Sequence, residues 1–357
     1  MSEATFALAT DADDSGIRRL LKSNPVPGRI RIRYEREPDY FAGCATMGKT
    51  QVLVAHADGN VVGVACRAIR RLYINGQPAD VGYLGQLRVD PQFRGRWLVL
   101  KGFRKLHELH RQSPPRGYIT TIIEGNDEAE GVLVRLARGP MPRYRKLDRL
   151  LTLVLPTAKA SAATARTADL PHIIDFLNRE GRARNFFPVY DEQSFSDGTT
   201  RGFDPRDFIV VRRNGEIAGV AGLWDQSAYK QSVVDAYDPL TRAARPLYNT
   251  AARLMRRATL PKPGTMLRHA YGSFFCVAGD DPGVTIELIT QLLAAAKARN
   301  LDHLLLGFTE SDPLLVVARV FRHVAYPAGL YTVSWDDGSD FHDQIDERPR
   351  YLELAAL

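Results

Sequence analysis

Apolar positions recur at helical spacing from Trp97 through Leu100, Phe103 and Leu106 to Leu109, with Lys101, Arg104, Lys105 and Glu108 between them. The pattern predicts an amphipathic helix over 97–111, closed by Pro114 and Pro115. Shorter apolar runs on either side, 81–89 before it and 118–123 after, read as strands. Upstream, Val52-Leu53-Val54 and Val61–Ala65 flank Asp58-Gly59, a dipeptide that supplies the positive φ a tight hairpin needs. Downstream, Glu124-Gly125-Asn126 opens another helix, and the run Leu147–Leu155 reads as a closing strand.

The same pattern returns later in the chain. Gly59 and Gly63 match Gly215 and Gly219, each pair 156 residues apart, and the same offset links Asp13 to Asp169, Ile17 to Ile173 and Leu21 to Leu177. Several matches at one offset point to a duplication. The small, polar stretch 156–163 reads as the linker. It divides the chain into a domain over 1–156 and a second over 163–357, in line with a length of 357 residues.

Composition then narrows the class. With 45% hydrophobic and 25% charged residues the chain is an ordinary globular protein. No apolar run reaches membrane-span length, and the polar start bears no secretory signal. Cys44, Cys66 and Cys276 form no CxxC pair, which fits a reducing compartment and leads us to expect a cytoplasmic protein. The net charge of +7 comes from dispersed arginines without interleaved aromatics, so nucleic acid is an unfavoured partner and a membrane is not expected. The oligomeric state is left open. His107 and His110 lie one turn apart but lack a third ligand, so no metal site is expected.

Candidate chemistry concentrates between 81 and 129. A strand, a basic glycine-bearing loop (Asp90-Pro91-Gln92-Phe93-Arg94-Gly95-Arg96) and a long helix make an anion-binding design. The helix mouth has free N–H groups, glycine admits close approach, and Arg94 and Arg96 add charge. The loop resembles the pyrophosphate loop of the GNAT acyltransferase superfamily, with Gln92, Arg94 and Gly95 on the family pattern. Asn126 and Ala129 resemble the Asn-x-x-Ala that opens that family's next helix. The order of elements agrees over all of 1–156.

This resemblance implies an α/β (α+β) protein of two tandem GNAT-type domains, each a mixed, mostly antiparallel sheet flanked by helices. It implies transfer of an acyl group, acetyl above all, from acetyl-CoA or another acyl-CoA to a small-molecule or peptide amine. The backbone of Leu87, Arg88 and Val89 would hold the pantetheine arm. Phe93, Arg94, Gly95, Arg96, Trp97 and Leu98 would hold the pyrophosphate, and Asn126 would touch the far end of the cofactor. Two positions depart from the family: Trp97 stands where Gly or Ala is usual, and Leu133 where many members carry a tyrosine acid. Tyr83 and Tyr144 are then the candidate acids, and Glu124, followed by Asp80, the candidate base. Each has a plainer reading: Asn126 as a helix cap, Glu124 as a strand-end charge, the tyrosines as packing residues. The alternative to an enzyme is a GNAT-fold protein that binds acyl-CoA as a regulatory module, and transfer from a charged tRNA is a third option.

In the second copy the loop following Val277 carries Asp280 and Asp281, which would repel a diphosphate, so cofactor is expected in the first copy alone. Acceptor determinants are expected in 24–49, whose charge balance suggests an acceptor with some acidic character.

Overall fold

Both sequence copies fold onto one continuous sheet. The structure, a computed structural model, describes residues 4–357 apart from 27, 29, 95, 136–140, 158–168, 255–258 and 336–339; most of the linker lies outside the described residues. The first half runs β1 (Thr5–Leu8), α1 (Asp14–Ser23), β2 (Ile30–Glu35), β3 (Lys49–Ala57), β4 (Asn60–Ile74), β5 (Gln77–Val89), α2 (Arg96–Gln112), β6 (Tyr118–Ile123), α3 (Asp127–Glu130) and β7 (Arg143–Pro156). The second runs α4 (Leu170–Gly181), β8 (Phe208–Arg213), β9 (Glu216–Trp224), β10 (Gln231–Tyr237), α5 (Pro239–Leu254), β11 (His269–Val277), α6 (Pro282–Ala298), β12 (His303–Thr309), α7 (Leu314–Ala318) and β13 (Val324–Ser334).

The repeat read from the sequence is physical. Ile17 and Leu21 on α1 are buried as Ile173 and Leu177 are on α4. The turn residues Asp58 and Gly59 have φ of 50° and 74°, and Asn214 and Gly215 have 52° and 88°, the left-handed pair that a two-residue hairpin turn requires.

Strand order in the large sheet is β1-β3-β4-β5-β6-β13-β7-β12-β11-β9-β8. Neighbours are antiparallel except at β5·β6 and β11·β12, which are parallel. The halves therefore exchange their last strands: β13 lies beside β6, β7 lies beside β12, and the two exchanged strands pair with each other. Leu150, Leu151, Leu153 and Leu155 of β7 are all buried, which explains why this strand reads as a nearly unbroken apolar run. Neither half can leave without breaking two ladders of the other. We expect a single calorimetric unfolding transition; two resolved transitions would show that the exchange does not couple the halves.

Outside the large sheet, β2 pairs with β10, so the segment expected to shape the acceptor site is bound to an insertion of the second half. Arg31 and Arg33 both reach Asp235 across that ribbon, at 2.6 and 3.1 Å. Among the described residues no helix is long and apolar enough to cross a membrane.

Candidate functional site

The site begins where a ladder breaks. β4 and β5 pair regularly up to Cys66↔Gly85 and again from Val64↔Arg88, and the register shift leaves Gln86 and Leu87 opposite one residue. Gln86 takes φ of 57°, a left-handed conformation that a non-glycine residue adopts at a cost and that bends the strand there. On the other edge, β5 pairs with β6 only at Gly82↔Tyr118 and Tyr83↔Ile119. Thr120 Oγ1 donates to the Leu84 carbonyl at 2.6 Å, and the strands diverge beyond it. Gly82 is required at this junction, because a Cβ there would collide with the Tyr118 ring. The Asp90 N–H donates to Val62, so the alternation of an antiparallel ladder turns the backbone groups of Val89 and Leu87 away from β4, into the widening gap.

The gap leads to the mouth of α2. Gln92 and Phe93 sit in a short turn in which Asp90 accepts both amides, Gln92 on its carboxylate at 2.9 Å and Phe93 on its carbonyl. Arg94 donates to Asn24 on the α1 side at 3.0 Å and to Glu128 on α3 at 3.1 Å, tying the loop to both neighbours. Gly95 lies outside the described residues. No acidic residue stands in the first turn of α2, so its free amides face no internal carboxylate of that turn. The Trp97 ring is not in the core: the residue is 50% exposed, with the Lys101 ammonium 3.9 Å from the ring centre. Leu98 turns inward and is buried.

The second half repeats this geometry and fills it. Phe274, 188 residues after Gln86, also has a positive φ, 55°, at a register shift between Ser273 and Cys276. Its amide donates to Glu353 Oε2 at 2.8 Å, and the Phe275 amide donates to the Tyr351 hydroxyl at 3.3 Å. At the mouth of α6, Asp281 accepts the amides of Gly283 and Val284 at 2.7 and 3.0 Å. Asp280 is drawn away to the buried Arg184. The Phe274 and Phe275 amides at the second bulge and the Gly283 and Val284 amides at the mouth of α6 thus each have a side chain of the protein on them. Glu353 is 5% exposed, and Glu353→Ala would strand the Phe274 amide and the Tyr351 hydroxyl; we expect a loss of about 1–3 kcal/mol in chemical denaturation.

No family model matches the chain, and no curated protein does. Solved structures do. A Saccharomyces cerevisiae N-myristoyltransferase with bound myristoyl-CoA aligns over 99% of this chain and 90% of its own, with a TM-score of 0.63 and 11% identity. A GCN5-related N-acetyltransferase from Sphaerobacter thermophilus aligns over 99% and 98%, with a TM-score of 0.53 and 14% identity. The chain has the GNAT fold.

Within this GNAT fold the remaining sequence candidates fall in distinct places. Asn126 caps α3, its side chain accepting the Ala129 amide at 3.2 Å. Glu124 forms a two-pronged ion pair with Arg149, 2.7 Å on each oxygen, which holds its carboxyl below the usual range, so it is a weak proton acceptor as it stands. Asp80 is exposed at the start of β5. Tyr144 is half-buried, edge-on against Phe103 beside the α2 core, and Leu133 is buried in the same cluster. Tyr83 belongs to the cleft: its hydroxyl meets Thr121 Oγ1 on β6 at 3.0 Å, and its ring lines a cavity of about 40 Å³ with Gly82, Arg70 and Ile119. Burial pushes the Tyr83 hydroxyl up, so it keeps its proton. His107 and His110 stack on Trp335. Among the described residues no group of three or more His, Cys, Asp or Glu is placed to hold a metal. Burial raises the thiols of Cys44 and Cys276, to about 11 and about 12, and both are inert packing groups.

Sequence reasoning missed the bulge and its stopper. The 188-residue offset that aligns Val89 with Val277 also aligns Gln86 with Phe274, and was the available signal.

Proposed function

We propose that the first half binds acyl-CoA and transfers its acyl group to an amine, while the second half is a filled copy that shapes the site. The observation that carries this reading is the asymmetry between two matching bulges: Tyr351 and Glu353 cover the amides of the second, and no side chain of the described residues covers those of the first. Acyl-CoA supplies the acyl group as a thioester. The gap between β5 and β6 suits the extended pantetheine arm, with Val89 offering strand-like hydrogen bonds. The mouth of α2 and Arg94 suit the diphosphate.

The amides of Gln86 and Leu87 then carry the negative charge that develops on the carbonyl oxygen as a neutral amine attacks. Tyr83 retains its proton and lines the base of the cleft, so it is the better placed of the two tyrosines to protonate the departing thiolate; the proton that the amine loses as the amide forms passes through solvent and returns to the phenolate. The acyl group is short in this reading. The Tyr83 ring lies across Gly85, where a Cβ would meet it at 2.5 Å, and so closes the base of the cleft just before the bulge.

Thermal denaturation with coenzyme A tests the reading at its root. At a concentration of about 100 Kd the ligand should add about 2.7 kcal/mol of stability. An unchanged melting curve at millimolar coenzyme A would remove the acyltransferase assignment. Tyr83→Phe keeps the ring and deletes the hydroxyl; kcat should fall by about a hundredfold with KM for acetyl-CoA little changed. An unaltered kcat would free Tyr83 from the acid role.

A further inference from the structure

We propose that the face of the cleft opposite α2 takes an acceptor amine that also bears a carboxylate, gripped by the guanidinium groups of Arg36 and Arg88. The inference rests on the acyl-transfer reading of the same cleft and specifies its second substrate.

β5 sets the geometry. Leu84 and Leu87 pack with Phe103 and Leu106 of α2, while Tyr83 packs in a separate cluster across the sheet. The bulge shifts the alternation by one residue, so Arg88 rejoins the Tyr83 face immediately beyond the amides of Gln86 and Leu87. Arg36, just after β2, approaches from above: both arginines lie within electrostatic reach of the Tyr40 hydroxyl.

Neither arginine is provided for. Arg36 is 8% exposed, and its one side-chain hydrogen bond is a long 3.5 Å contact from Nη1 to the neighbouring Glu35 carbonyl. Arg88 donates from Nη1 to its own neighbour, the Leu87 carbonyl, at 2.8 Å. Among the described residues, no carboxylate lies within ion-pair distance of either. The nearby acids are committed elsewhere: Glu35 to Arg33 and Lys22, Glu37 to Arg18 and Lys22. Arg88 is half-buried; Arg36 is buried, and the protein treats its other buried arginines differently. Arg184 has Asp280 and Asp312; Arg67 is saturated by Gln51, Tyr118 and the Ser113 carbonyl. Tyr40 is 1% exposed, and among the described residues its hydroxyl has no partner. Lys230 lies within reach of Arg36 and donates to the carbonyls of Ala355 and Leu357; burial pulls its pKa down, so the arginines are the fixed charges of this face.

A buried guanidinium is costly unless polar groups or an anion meet its N–H groups, and its planar fork matches a carboxylate in two-pronged fashion. Two such forks and an unpartnered phenol beside an acyl-transfer centre fit a small amino acid, with the amine turned to the bulge and the carboxylate to the arginines.

The test uses the full chain, acetyl-CoA and release of free thiol. The twenty common amino acids are compared with their carboxamides and with phosphoethanolamine. Turnover should be confined to amines bearing a carboxylate, and the matching carboxamide should be slower by about ten- to a hundredfold in kcat/KM. Arg36→Met should raise KM for the acceptor by a similar factor and leave coenzyme A affinity unchanged, which also reports that the variant folds; Arg36→Lys should recover part of the loss. Equal turnover of carboxamides or phosphoethanolamine overturns the proposal. So does an unchanged acceptor KM in Arg36→Met, or coenzyme A binding with turnover of no amino acid. Failure of coenzyme A to bind strikes the acyltransferase reading instead. Calorimetric titration of the same amino acids into wild type and Arg36→Met then decides the pocket by itself: heat of binding in the wild type alone supports it, and none in either sinks it.

Discussion

Replacing Arg184 by methionine is expected to cost about 3–5 kcal/mol of folding stability. The Arg184 side chain is 5% exposed and that of Asp312 is 2% exposed, and the guanidinium spans Asp312 through Nε and Nη2 at 3.3 Å while also reaching Asp280. Methionine keeps much of the volume, so the loss is electrostatic: Asp312 remains buried and ionised without a counter-charge. That penalty exceeds the worth of the pair itself, since two charges taken from water together roughly repay their own desolvation. Adding Asp312→Asn should therefore restore much of the loss. Asparagine keeps an oxygen for the Leu314 amide, which Asp312 now accepts at 2.9 Å, and removes the stranded charge. Thermal melting should show a drop of about 4–7 °C for the single variant and a clear recovery in the double. A single variant melting within about 2 °C of wild type, or a double variant no better than the single, would mean that the pair is solvated and contributes little.

This pair also corrects the meaning of a sequence signal. Asp280 and Asp281 read as charges that repel a diphosphate. In the structure both are structural: Asp280 locks its loop to Arg184, and Asp281 caps α6. The amides of Phe274, Phe275, Gly283 and Val284 in that copy are already used within the protein, which is a different obstacle from the repulsion read in the sequence.

Features imposed by a single element were open to reading. The hairpin turns at Asp58-Gly59 and Asn214-Gly215, the inward Ile17 and Leu21, and the span of α2 follow from positive φ and helical periodicity, which are local. The strand exchange was not open to reading. β7 and β13 are both apolar strands with the same antiparallel neighbours available in either half, and a period-2 pattern sets which face is buried without selecting the partner. Nor does the sequence mark Gln86 as left-handed, since glutamine has no special tolerance for that region; the surrounding ladders impose it. Tyr351 and Glu353 stop the second bulge from nearly eighty residues away, where no pattern links them to Phe274. The acid-base residues fared similarly. Glu124 sits where the strand-end reading put it, and Arg149, from the exchanged β7, takes up its charge.

The conformation of Gln86 leads to the larger functional effect. At φ of 57° a β-branched side chain crowds the backbone, whereas glycine adopts the same angle freely. Gln86→Val should therefore drive the bulge out of register and turn the Gln86 and Leu87 amides away from the carbonyl oxygen. Loss of one such donor is worth about a hundred- to a thousandfold in kcat, so turnover of acetyl-CoA should fall at least that far. Gln86→Gly should keep the bulge and most of the rate. Coenzyme A affinity provides the control, because the diphosphate contacts proposed at the mouth of α2 lie several residues away and should survive in both variants. The counterpart Phe274→Gly alters a bulge already stopped by Glu353, so it should lose packing stability around Trp224 and Phe203 without a specific fall in kcat. If Gln86→Val turned over normally, or if Phe274→Gly abolished transfer while leaving the fold intact, the two bulges would have to exchange roles, and acyl transfer could not be housed between β5 and β6.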